Sequence, residues 1–232
     1  MSSPNNMPTI TTGLQDRAAL IEAFLASYAN LEISESALPY LASYSSEVLS
    51  LYCPDALELQ AAFIVDEQSE EAFLGIHLAP SLIEVFNAFP VLSELLSNRS
   101  GLNAFMALAE EISHFHQYLS VANSNKKISR FDLELQAEID KVIIGALALS
   151  KAFGNSYVEA LVKILFDEAI FNSSLTNYQQ ASKIAEKFWK EHLRAFGPGV
   201  IFDQRFRIHL QKATRLTGAE KRRMLDQMIR AA

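Results

Sequence analysis

The residue types best suited to chemistry sit together at Glu110-Glu111-Ile112-Ser113-His114, with Glu134 and Glu138 a short way downstream. Glu110 and His114 are four apart, so on a helix they are neighbours on one face, with Glu111 on the adjoining face. Two coordinating side chains one turn apart, with a carboxylate between them, can hold a metal ion and set a base beside its bound water. The second segment adds to this. Glu134, Glu138 and Lys141 form one stripe, while Leu133, Leu135, Ala137, Ile139, Val142, Ile143 and Ile144 cover most of the remaining circumference. A helix apolar nearly all round is normally buried. Carboxylates on such a helix need a cation, strong hydrogen bonds or a proton. Lys141 supplies one partner, to Glu138 at i,i+3.

A Glu-x-x-His helix, a polar loop and a second helix carrying a glutamate resemble the zincin metallopeptidases, in particular their gluzincin branch. Those enzymes place His-Glu-x-x-His on one helix and a glutamate on the next, with an antiparallel edge strand ahead of the first. The resemblance implies that Glu111 is the general base, His114 the second ligand and Glu134 the third. Glu138, one turn on, matches a supporting acid and is retained as a candidate ligand, because a one-turn shift between the helices exchanges it with Glu134. Glu110 stands where the family has its first histidine. Zinc accepts carboxylate oxygen, so a Glu/His/Glu site is chemically open. Two anionic ligands would weaken the acidification of bound water and make manganese or iron more competitive with zinc. The expectation is one divalent metal in an altered Glu-Glu-x-x-His site of a metal-dependent hydrolase or peptidase relative, with a degenerate member retained for binding or regulation more in keeping with the lost histidine than an active one. The competing expectation is a non-catalytic helical interaction protein, its carboxylates paired with Lys141 or with the basic C-terminal tail. A ferritin-like di-metal bundle would need a second Glu-x-x-His, and the sequence contains none.

These side chains need a scaffold, and hydrophobic periodicity outlines an α+β one dominated by helices. Helical spacing runs over 14–29, 36–52, 81–97, 101–121, 131–152, 155–171, 175–196, 202–214 and 218–230. Ser100 or Gly101 would cap the helix carrying Glu110, and Ser129 the next. Between the second and third helices the period shortens to two. Leu57 to Val65 and Ala72 to Leu78 alternate around a polar loop, which predicts a hairpin packed on the helices or on a third strand. The resemblance expects its substrate-aligning strand there. Residues 1–12 read as disordered, 13–196 as one domain with the zincin-like part at about 57–152, and 197–232 as a basic helical appendage beyond Gly197-Pro198-Gly199.

Bulk properties narrow the function classes. The 232 residues are half apolar and one-fifth charged, with a net charge of −7. From Asp203 to the end there are eight basic residues against three acidic ones, so the first 202 residues carry −12. An acidic body argues against nucleic acid and leaves a peptide or protein partner. Lys221-Arg222-Arg223 reads most simply as a solvated helix face. The longest apolar run, Val142 to Leu149, is too short for a membrane span. A lone Cys53 and an N-terminus without a basic start and apolar run suit a reducing, cytoplasmic setting. Of the other histidines, His116 is expected to be satisfied in the core, and His77 fits a cleft or an exposed strand face equally well. His192 and His209 could serve the site only if the C-terminal helices fold over it. Phe188, Trp189 and Phe196 are expected to pack.

Overall fold

Helix α1 (Thr12–Phe24) turns its apolar stripe of Leu14, Ala18 and Ile21 inward, all fully buried, and continues as a π turn over Leu25–Ala29. The structure is a computed structural model that describes residues 12–29, 33–68, 71–124, 127–154, 157–167 and 176–231. The stretch expected to be disordered lies outside these residues, apart from Thr12.

The continuous helix expected over 36–52 is instead three short pieces. Pro39 sits in the first turn of a 3-10 segment, Leu38–Tyr40, and the chain then extends as strand β1 (Leu41–Ala42) before helix α2 (Ser46–Tyr52). Proline disfavours helical backbone in the residue before it. The free edge of a neighbouring strand takes up the extended pair.

The hairpin is present but displaced along the chain. Pro54–Glu58 forms a 3-10 turn, leaving Leu57 and Leu59 exposed, and the strands are β2 (Ala61–Gln68) and β3 (Glu71–Leu78). Asp66, Glu67 and Gln68, expected in the loop, are paired opposite Phe73, Ala72 and Glu71. Cross-strand pairing carries these polar residues at the far end of the ribbon, where side chains need no burial. The sheet is mixed, in the order β1-β3-β2, with β1 parallel and β2 antiparallel to β3. Its two faces serve different cores: Ala61, Ile76 and Leu78 join the main one, while Ala62 and Ile64 meet Leu49 and Ala56 in a smaller one.

The helix expected over 81–97 is broken at Phe89-Pro90 into α3 (Pro80–Ala88) and α4 (Leu92–Ser97), as the missing proline N–H and its ring require. The two long helices match expectation closely. These are α5 (Arg99–Ala122) and α6 (Arg130–Phe153). Asn98, rather than Ser100 or Gly101, caps α5, its side-chain oxygen accepting the Ser100 and Gly101 N–H groups. Ser129 caps α6 as expected, through the Asp132 N–H, and Gly154 ends it at a φ of 77°. The pairs Glu110–Lys141 and Ser113–Asp140 run in opposite order along the two helices, which are therefore antiparallel. Gly145 marks the close approach. A Cβ there would lie 2.5 Å from Met106 Cε and 2.6 Å from Leu161 Cδ2.

Helix α7 (Val158–Val162) runs into a π turn at Lys163–Asp167, and the rest of the helix expected over 155–171 lies outside the described residues. Helices α8 (Thr176–Phe196), α9 (Gln204–Thr214) and α10 (Gly218–Ala231) complete the chain. Trp189 and Phe188 are fully buried among the aromatic rings of this end, whereas Phe196 is half exposed. Lys221 departs from the solvated face expected of it. It is fully buried, because α10 packs down on α8 and brings its ammonium into the field of Asp140 and Asp132. Arg222 lies over the Phe131 ring.

Candidate metal centre

Four elements build the site: α5 supplies Glu110, Glu111 and His114, α6 supplies Arg130, Glu134, Glu138 and Lys141, α8 supplies Tyr178, and edge strand β2 closes one side. A cavity of about 480 Å³ lies between them, lined by Leu59 to Phe63, Glu110, Glu111, His114, Glu134 and Tyr178 among others. The apolar stripe of α5, including Phe105, Ile112 and Phe115, is fully buried. That burial fixes the rotation of the helix and turns the acidic face toward α6 and the cavity.

Glu110, His114 and Glu134 each offer one ligand atom, and these atoms lie within 4.8 Å of one another. Two ligands that each stand about 2 Å from an ion are about 4 Å apart at most, so small side-chain adjustments suffice to close the group on a cation. His114 Nδ1 is 3.2 Å from Glu111 Oε2, which leaves Nε2 as the ligating nitrogen. Nε2 lies 3.5 Å from Glu134 Oε2, an ion-pair distance without hydrogen-bond geometry, and is buried with no hydrogen-bond partner. A buried polar atom of this kind is uncommon and needs a reason. The donor set of two carboxylates and one imidazole fits a divalent cation of the zinc, manganese or iron class.

Glu111 is held from both sides, its Oε2 accepting the Phe63 backbone N–H at 2.6 Å as well as facing His114. A carboxylate on the far nitrogen of a ligating histidine fixes its tautomer and its orientation. Glu138 does not join the three grouped residues. Its Oε1 takes Lys141 Nζ at 2.7 Å, and the Tyr178 hydroxyl bonds to it as well. Lys141 also reaches Glu110 Oε2 at 2.9 Å. Arg130 Nε stands 3.6 Å from Glu134 Oε1.

The electrostatics follow from this crowding. Burial pushes the Glu111 carboxyl upward, more than its bond to His114 pulls it down. Burial also works against a charged His114, but the carboxylates of Glu111 and Glu134 prevail and hold the ring well above the usual histidine range. For Glu134, burial is outweighed by the ion pair with His114 and by nearby Arg130 and Lys141, so its carboxyl stays below the ordinary value. Burial raises Glu138 despite Lys141. Without a cation the site is thus a web of carboxylates around a protonated imidazole, and a metal would take the place of that proton.

Arg130, Tyr178 and the Phe63 N–H were not anticipated as parts of the site. Arg130 was legible as an i,i+4 partner of Glu134. Tyr178 comes from α8, and no local pattern points to it. The remaining histidines stand apart from the cavity. His116 Nε2 is 2.9 Å from Glu22 Oε1, a satisfied core histidine as expected. His77 is buried rather than exposed or in the cleft, and its Nδ1 accepts the Tyr44 N–H. His192 donates from Nδ1 to the Phe188 carbonyl and lines, with His209, a second cavity among α8, α9 and α10. No family model matches the chain, and no curated protein or solved structure matches it either. The likeness to zincins therefore stands on the helical Glu/His/Glu group alone. Among the described residues, no helix is long and apolar enough to cross a membrane.

Proposed function

We propose that this chain binds one divalent cation through Glu110, His114 and Glu134 in an altered form of the site of metal-dependent hydrolases related to the peptidases, a degenerate member in which Glu111 stands in the general-base position. The observation that carries the reading is His114 Nε2, buried without a hydrogen-bond partner between two carboxylates. A bound ion of this class supplies Lewis acidity and lowers the pKa of bound water. Glu111 lines the cavity, and its raised carboxyl pKa suits a group that takes a proton and passes it on. Strand β2 is the sheet edge beside the cavity, which is the position from which an extended peptide can be aligned.

One observation favours a second reading, a non-catalytic interaction protein: Lys141 already pairs with Glu110 and with Glu138. The two readings part on metal. Protein purified without a metal-affinity tag is analysed for its elements and melted with and without chelator. About one equivalent of zinc, manganese or iron, lost together with several degrees of stability on chelation, is the expected result. His114→Ala should abolish that shift. Metal-free protein whose melt is unmoved even by added zinc would leave the interaction reading.

A further inference from the structure

A lysine is built into the place where an incoming cation exerts its charge. Lys141 Nζ lies 2.9 Å from Glu110 Oε2 and 2.7 Å from Glu138 Oε1, on a side chain only 6 % exposed, with the Tyr178 ring 5.7 Å away. Glu110 belongs at the same time to the group that can hold a metal. One carboxylate is therefore shared between a cation fixed to the chain and the position of a free one. The family resemblance supplies no counterpart, since a neutral histidine in the place of Glu110 would need no counter-charge.

We propose that Lys141 is a tethered counter-ion of the metal site: it holds Glu110 and Glu138 together in the metal-free chain and lowers the affinity of the site for a divalent cation. This rests on the metal-binding reading above. A positive charge within hydrogen-bond distance of a carboxylate lowers its affinity for a proton by about tenfold to a thousandfold. The same repulsion acts on any cation approaching Glu110, and more strongly on a doubly charged one. Because the pair is buried, salt screens it little. Removing the lysine has a second effect of opposite sign. Two buried carboxylates are then left facing each other, which destabilises the metal-free fold. A lysine with a purely structural role would produce only that loss of stability.

The test uses the full chain with zinc and manganese ions as probes, titrated in competition with a chromophoric chelator, alongside thermal melts. K141Q should bind both ions at least about tenfold more tightly than the unaltered chain, melt lower without metal, and gain more on metal addition. K141R should bind as the unaltered chain does. If K141Q does not fold without metal, E138Q and the E138Q/K141Q pair make the same comparison with one stranded charge removed. Equal or weaker binding in K141Q, or in the pair relative to E138Q, overturns the proposal and leaves the metal site standing. Binding by neither the unaltered chain nor the lysine variants overturns the metal site itself.

Discussion

The Phe63 backbone N–H donates to Glu111 Oε2 at 2.6 Å, tying the edge strand of the sheet to the helix that carries the candidate site. Phe63 pairs with Ile76 of β3 on its other side, so the register of the hairpin decides which N–H faces the helix. A slip by one residue would send a different side chain into the core and turn this donor away. Sheet register and site geometry are thus one structural fact.

Exchanging Glu111 for Gln keeps an oxygen that can accept the Phe63 N–H, so the fold and metal binding should be nearly unchanged while hydrolytic turnover is lost. Exchanging it for Ala strands that N–H and should cost about 1–3 kcal/mol. Urea denaturation of both variants, with a peptide-library assay, separates the outcomes. A collapse of stability in the Gln variant would make Glu111 structural rather than a base.

Phe115 is fully buried on α5 and meets the rings of Tyr40, Phe63 and His116. It props β2 against the helix just beyond His114. Phe115→Ala should cost about 3–5 kcal/mol, the usual range for emptying a core aromatic position. It should also weaken metal binding, because the strand that holds Glu111 loses its support. Denaturant melts and a zinc titration on the same preparation check both parts, and weakened stability with undiminished affinity would show that the prop does not reach the site.

Burial lowers the pKa of Lys221 from 10.5 to about 8, against the opposing charges of Asp140 and Asp132. Between these two values the unfolded chain binds more protons than the folded one. Stability should therefore rise as the pH goes from about 8 toward 10.5, and fall again as it returns through 8. Lys221→Met should remove this alkaline rise. Chemical denaturation across this range reads the slope directly, and an unaltered slope in the variant would assign it to other groups.

Much of the scaffold was written locally. The bounds of α5 and α6 followed from apolar periodicity and, for α6, from the Ser129 cap, because helix formation and capping depend on residues a turn apart. Glu110 and His114 had to share a face for the same reason. Errors fell where a proline or a neighbouring strand overrode the pattern: at Leu38–Ala42, at Pro54–Glu58 and at Phe89-Pro90. The Asp66–Gln68 segment looked like a loop because strand pairing with Glu71–Phe73 leaves no mark on its polarity.

By itself the sequence determined two successive long helices in a mostly helical α+β chain, each carrying carboxylates on one face and the first a histidine as well. Only the tertiary structure decided which carboxylate meets which cation. Glu134 and Glu138 are one turn apart and equivalent in any periodic reading, yet Glu134 stands beside His114 and Glu138 beside Lys141. The axial offset of α5 and α6 makes that choice, and it is set by packing such as the approach of Met106 and Leu161 to Gly145. The burial of Lys221 and the arrival of Tyr178 depend in the same way on where α8 and α10 settle. Contacts between elements distant in the chain are governed by shape and volume, which the spacing of residues along one helix does not encode.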